Sequence, residues 1–345
     1  GGDGTDTLVG GAGADTLNGG NGTDTASYAG SSAGVTVRLW NGTGVGGDAQ
    51  GDTLTSIERV VGSAFNDALI GTNGAADTLE GGTGNDYLEG LTGDDVLIGG
   101  DGTDTLVGGA GADTLNGGNG TDTASYAGSS AGVTVRLWNG TGVGGDAQGD
   151  TLTSIERVVG SAFNDALIGT NGAADTLEGG TGNDYLEGLT GDDVLIGGAG
   201  NDTLVGGSGA DLFVFAGASG SDRITDFGVA TGDRVRLDAN LFTDFNDVLT
   251  HTTDTANGAV ISKSGVVITL TGVTKAQLNA GHFEFAAPAP LEPQAKDAGP
   301  QVLPGLVDDD LLVLPALADS KDAGPLVLPG LAGDGLDPLV AAYGP

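Results

Sequence analysis

The 345-residue sequence has no cysteine and no methionine, and only two histidines. No disulfide framework or thiolate metal site can form, and a zinc centre has almost nothing to draw on. Bases are scarce as well: 11 Lys and Arg stand against 47 Asp and Glu, for a formal charge of −36. A chain of that sign repels phosphate, which argues against nucleic acid as a partner. Proline is missing before Pro288. No apolar run approaches the roughly 20 residues needed to cross a bilayer as a helix, so no transmembrane segment is expected. No charged, apolar, cleavable leader opens the chain, which starts at Gly1 rather than Met and so suggests either processing or an upstream part.

What is present is lopsided. There are 69 glycines, and the acids are 39 Asp against 8 Glu. A helical acidic protein would favour Glu, whereas Asp with Gly means turns. At 38% hydrophobic residues and a mean hydropathy of +0.04, the chain is too apolar for a simple disordered polyanion. A compact fold is expected once the charge is neutralised, and the neutralising species should be a hard, oxygen-seeking cation.

Residues 1 to 100 recur unchanged as residues 99 to 198, a period of 98 residues. Such copying adds little to a catalytic site but lengthens a rod. Within the large unit runs a nine-residue period, seen in GGDGTDTLV from Gly1, GGAGADTLN from Gly10 and GGNGTDTAS from Gly19. Further runs start at Gly81, Gly90, Gly99, Gly108 and Gly117, and again at Gly179, Gly188, Gly197 and Gly206, making twelve nonapeptides of the form G-G-x-G-x-D-x-U-x with U apolar. Leu91 and Leu189 replace the second glycine, and Ala26 and Ala124 fill the apolar slot.

Glycine at three of six positions permits a tight loop of positive φ with carbonyls directed at one centre. The x-U-x triplet that follows reads as a very short strand with its apolar residue facing inward. Two nonapeptides then make one turn of a flattened coil, an all-β parallel β-roll with a thin Leu core between two sheets. Loops on one edge are 18 residues apart. That pairs Asp6 with Asp24, Asp77 with Asp95, Asp86 with Asp104, Asp95 with Asp113, Asp104 with Asp122, Asp175 with Asp193, Asp184 with Asp202 and Asp193 with Asp211, with Asp15 a further candidate ligand. Parallel strands stack ~4.8 Å apart, leaving room for a cation between facing loops. Ca2+ suits such a site because it accepts six to eight mixed carboxylate and carbonyl oxygens in flexible geometry, where Mg2+ demands a stricter octahedron. Eight pairs imply about eight or more ions.

The repeats resemble those of the RTX, or repeats-in-toxin, family, whose members are exported by type I secretion. The segments between repeats, Tyr28 to Val61 and Tyr126 to Val159, also resemble RTX spacers in the wording GDTLTSIE followed by GSAFNDALI. Val35, Val37 and Leu39 alternate with Thr36, Arg38 and Trp40, which reads as a longer strand in the same coil, followed by a Gly-rich excursion from Gly42 to Gly51. Asp67 and Asp165 are weaker ligand candidates because they fall out of register. Trp40 and Trp138 either contact a sugar or neighbouring molecule, or cover their own glycine loops, and the second reading is favoured. Gly30 to Gly34 fits G-x-S-x-G, but no helix pattern follows and both histidines lie far downstream, so no catalytic role is assigned to it. There is no H-E-x-x-H motif, so the zinc protease activity of some RTX relatives is not expected here, and with no catalytic constellation in it this chain is not expected to be an enzyme, a reading that leaves any missing N-terminal region open.

The repeat array is expected over residues 1–214. Seven of nine phenylalanines fall between Phe213 and Phe285, which suits a terminal unit covering the last coil over 215–287. This block resembles the domain that closes RTX arrays, and the resemblance implies Ca2+ ligation by Asp222, Asp226 and Asp233. Gly1 enters directly into a repeat, so the first coil is expected to abut another domain or another copy. Residues 288–345 form a Pro-rich tail with its own repeat, Lys296 to Leu306 against Lys321 to Leu331. A C-terminal secretion signal, a subunit-joining arm and a plain linker are all compatible with it. The resulting expectation is a secreted, calcium-folded structural protein of a matrix, surface layer, adhesin or filament, with self-association or a cell-surface partner. The alternative is the C-terminal export and folding module of a secreted enzyme.

Overall fold

The computed structural model describes residues 1–217 and 219–286. The Pro-rich tail and its internal repeat lie outside the described residues. Among those residues, the strands form two long sheets of 14 and 16 strands and one pair, Gly2–Gly4 with Gly20–Gly22. Pairing is parallel along the repeats, and the register advances by 18: Leu79 lies beside Leu97 and Leu97 beside Leu115 in one sheet, Leu88 beside Leu106 in the other. The protein is a parallel β-roll.

The reason lies in the apolar slot. Leu79, Leu88, Leu97, Leu106 and Leu115 have no exposed surface, nor do Leu167, Leu177, Leu186, Leu195 and Leu204. Each contributes about 1.5–3 kcal/mol by leaving water, and each turn of the coil supplies only two of them. The strands themselves are short, as in Tyr87–Glu89 and Thr105–Val107. With so thin a core, the edge loops must contribute to holding the coil.

The spacers depart from the sequence expectation. No longer strand forms: Thr36–Arg38 is three residues, and the Gly-rich excursion contains a reversed strand, Thr43–Val45, antiparallel to it. That strand pairs back to Thr53–Thr55 through Thr43 and Thr53, so each spacer adds an antiparallel meander to a parallel sheet. Val35 and Val37 do reach the core, while Trp40 is 53% exposed at the turn of the meander.

The meander also sets the phase of the large repeat. Thr36–Arg38 belongs to the 14-stranded sheet, whereas its unchanged copy Thr134–Arg136 belongs to the 16-stranded sheet. The 98-residue unit therefore spans an odd number of half-turns. Loops of the first copy that lead from the 14- to the 16-stranded sheet recur in the second copy on the opposite edge.

The terminal unit continues both sheets. Leu212–Phe215, Arg234–Asp238 and Phe283–Ala286 extend the smaller, and Gly220–Ile224 and Val266–Thr271 the larger. The larger sheet then ends in antiparallel strands, Gly258–Lys263 and Thr252–Thr255. Phe213, Phe215, Phe227, Phe242 and Phe283 are buried here, beside the short helix Phe245–Thr250, whose first turn is capped by the Asp244 carboxylate. Both histidines serve this packing: His282 meets Phe227 edge-on at 5.7 Å, and His251 lies 3.0 Å from Asp247.

Candidate metal centre

The repeat aspartates sit where each loop enters its strand, and they form ladders along both edges. In all eight expected pairs, the backbone N–H of the first aspartate donates to Oδ1 of the second, at 2.7–3.0 Å. One carboxylate oxygen thus ties successive turns together. In Asp6, Asp15, Asp24, Asp86, Asp95, Asp104, Asp113, Asp122, Asp184, Asp193, Asp202 and Asp211, the other oxygen, Oδ2, is buried with no hydrogen-bond partner among the described residues. A buried anionic oxygen without a donor is costly and marks a place where a cation belongs.

The surroundings of Oδ2 fit that role. The first glycine of each nonapeptide faces it, and at Gly1, Gly19, Gly81, Gly90, Gly99, Gly117, Gly179 and Gly188 a carbonyl from the next turn closes the gap. At Gly99, for instance, a methyl group would strike Asp104 Oδ2 and come 2.6 Å from the Gly117 carbonyl oxygen. Absence of a side chain there, and not an unusual backbone angle, keeps the cradle open. The second glycine differs, since Gly100 has φ near 120° and needs glycine's freedom. Leu91 and Leu189 occupy that second slot with φ of 75° and 74°, so the loop imposes its conformation even on a branched side chain.

Among the described residues, no three acidic or histidine side chains converge on one point. The donor set is one or two carboxylates with main-chain carbonyls, which is oxygen-only and suits calcium. Burial, followed by repulsion from neighbouring carboxylates, pushes Asp86, Asp95, Asp113, Asp184 and Asp193 up to about 7. The same causes push Asp104 and Asp211 up to about 6. Stacked without a cation, these groups resist ionisation.

Asp77 and Asp175 are exceptions. Their Oδ2 accepts from the N–H and hydroxyl of Thr72 or Thr170, and it is Oδ1 that lacks a partner. The three aspartates of the terminal unit also differ. Asp222 and Asp233 end the two ladders by accepting from the N–H groups of Asp202 and Asp211, and their remaining oxygens take donors from Ser219 and from Gly228. Exposed Asp226 accepts from the N–H groups of Gly206 and Gly207. The unpartnered oxygen that characterises the repeats is not found at these three.

Several ladder members escaped the spacing argument. Asp15 donates its N–H to Asp52, 37 residues on, and Asp113 likewise to Asp150, because the meander is looped between them. Asp24 and Asp122 donate to Glu58 and Glu156. The carbonyls of Ser56 and Ser154, held at φ near 50°, stand at the cradles of Asp24 and Asp122 where a glycine carbonyl stands elsewhere. The signal was available at Asp52-Thr53-Leu54, which keeps the D-x-U part of a nonapeptide with its apolar slot. Asp67 and Asp165, out of register by one residue, nonetheless join the ladders through Asp86 and Asp184. Both oxygens of Asp67 are occupied, by Val35 and Ser63.

Gly30 to Gly34 forms turns leading into strand Thr36–Arg38, not a helix, and Ser31 Oγ is engaged with the Ala33 carbonyl and the Asp48 N–H.

A parallel coil whose edge loops hold buried, unpartnered carboxylate oxygens against glycine cradles defines a calcium-binding β-roll. The family profile of the RTX calcium-binding nonapeptide repeat matches residues 1–28, 52–88, 72–106, 98–125, 150–186 and 178–213, so the repeats of this chain are RTX repeats and bind calcium in their Gly–Asp loops. Among solved structures, the extracellular lipase LipA from Serratia marcescens is similar over 64% of this chain and 40% of its own, at 22% identity and a TM-score of 0.30. The chain therefore spans about 40% of that lipase's length. No curated protein matches the chain.

The cradle gives a direct test. Gly99→Ala should remove one calcium site while leaving the Leu core untouched. At calcium about 100 times the site's dissociation constant, the expected loss is about 2–3 kcal/mol. Urea unfolding at fixed calcium, with bound calcium counted by equilibrium dialysis, would report both, and unchanged stoichiometry would reject the assignment.

Proposed function

We propose that the chain is an extracellular, calcium-dependent structural protein that leaves the cell unfolded through a type I system and folds outside it. The observation that carries this reading is the pair of edge ladders. The chain's chemistry is invested in its own skeleton: aspartate N–H groups and Oδ1 atoms link successive turns, and twelve Oδ2 atoms are held where no described residue satisfies them. Calcium supplies the missing positive charge and coordination. Extracellular modules can bind it as weakly as about 0.1–1 mM, a level met outside cells and not in the cytosol. The same polyanion would therefore stay open during export and close only afterwards.

Duplication of the 98-residue unit supports an assembling rod over a catalyst, since it extends both sheets without adding a new kind of site. Electron microscopy of the full chain with calcium and with chelator tests the assembly. Ordered polymers only in calcium are expected, and monodisperse particles at calcium saturation would refute it. A native species much heavier than 33.4 kDa with a non-repetitive upstream domain would instead make these repeats the export and folding module of a larger enzyme.

A further inference from the structure

The ladders break at two places in each copy: at Asp52 or Asp150, whose N–H turns back to the carbonyl of Ala49 or Ala147 within the meander, and at Glu58 or Glu156. Glu58 ends the run from Asp6 and Asp24, and its own N–H turns to the Asp24 carbonyl at 3.2 Å. Asp77, which begins the next run on that edge, consequently receives no N–H on Oδ1. Between them lies a cavity of about 510 Å³, larger than the roughly 200 Å³ of one ion with six or seven waters, lined by both Glu58 and Asp77. Asp77 is only 2% exposed. The remaining lining combines aliphatic Leu54 and Ile57, the hydroxyl of Thr72, and Trp40 at the rim. Among the described residues, no lysine, arginine or histidine belongs to that lining.

The second copy repeats the break. Glu156 ends one run, Oδ1 of Asp175 is unpartnered, and a cavity of about 260 Å³ is lined by Leu152, Ile155, Glu156, Thr170 and Asp175, without Trp138. Because the two copies are half a turn out of phase, the cavities open on opposite edges of the roll.

We propose that the two breaks at Glu58 and Glu156 are each a binding site for a primary alkylammonium group, the chemistry shared by a lysine side chain and a free polyamine. Two carboxylates with no base beside them among the described residues select a cation, and the aliphatic lining, with the larger room of the first cavity, selects one with a carbon stem over a bare ion. The indole of Trp40 can cover that stem in the first site and interact with the charge. Placed on opposite edges, the sites make the chain bivalent for amines, so that a diamine or a lysine-bearing partner could bridge two rolls. The site is independent of whether the chain itself polymerises.

The test is equilibrium dialysis of the calcium-saturated full chain at low ionic strength against putrescine, N-acetyl-lysine amide and n-butanol. Saturable binding of the two amines at two per chain, with none of the neutral alcohol, is expected. Putrescine binding without the lysine probe would assign the sites to free polyamines, and binding of both would include protein lysines; either supports the amine site. Paired Glu58→Gln and Glu156→Gln substitutions should weaken binding at least about tenfold by removing a charge-assisted contact. Trp40→Ala, which lies outside the core, should weaken only one of the two sites and keeps the test sound if the Glu variants lose their circular dichroism. Non-saturable uptake, equal uptake of the alcohol, binding insensitive to all these substitutions, or displacement of the amine by further calcium at constant ionic strength would each overturn the proposal.

Discussion

Chelation of calcium is expected to abolish most of the β-sheet signal of the roll, and restoring calcium is expected to return it in a steep transition. The argument is one of linkage. A site present only in the folded coil stabilises it by about 1.4 kcal/mol when calcium is about ten times the dissociation constant. If each of the eight aspartate pairs held one ion, the sites together would give about 11 kcal/mol, as large as the whole stability of an ordinary domain. The core alone does not hold the coil, because each turn buries only two apolar residues such as Leu97 and Leu106, about 3–6 kcal/mol, against roughly 18–36 kcal/mol of backbone entropy for ordering a whole turn, while stacking two buried carboxylates beside them. Since successive turns share ladder bonds, loss of one turn exposes the next, so the transition should be cooperative. Far-ultraviolet circular dichroism across a calcium titration measures it. A spectrum indifferent to chelator would mean that the ladders hold without a cation.

Much of this was legible because the repeat is short and its roles do not mix. Spacing alone placed Leu79, Leu97 and Leu115 in one file and put every 18-residue aspartate pair on a common edge, and the register follows it. What spacing could not supply was the division of labour within a carboxylate. That Oδ1 binds the preceding N–H while Oδ2 is left to a ligand depends on atomic positions inside a turn, not on period. Spacing also failed at the meanders. A constant period cannot show that Asp15 and Asp52 are neighbours when the 37 residues separating them include a reversed strand. The phase of the large repeat was hidden for the same reason, since the number of half-turns in 98 residues depends on how many residues each meander takes out of the coil.

Acid should substitute in part for calcium. With burial the first cause and neighbouring carboxylates the second, the Asp86, Asp95, Asp113, Asp184 and Asp193 carboxyls are held up to about 7 in the metal-free coil. In an unfolded chain the same groups titrate near about 3.9. The folded coil therefore binds protons more tightly than the unfolded chain. Its stability without calcium is greatest below pH ~4 and is lost as pH rises toward ~7, the reverse of an aspartate stabilised by a salt bridge. In chelator, lowering the pH from about 7.5 toward 5 should bring back part of the β-sheet signal. In calcium the sign changes, because ion and proton compete for the same oxygens. Below pH ~7 each proton displaced per ion raises the calcium midpoint by up to about tenfold per pH unit. Calcium titrations followed by circular dichroism at pH 5.5, 6.5 and 7.5 would separate the two effects. A midpoint independent of pH would show that Oδ2 of the repeat aspartates is not where the ion is held, whereas recovery of sheet by acid alone would show that neutralising those oxygens is the step on which closure of the coil depends.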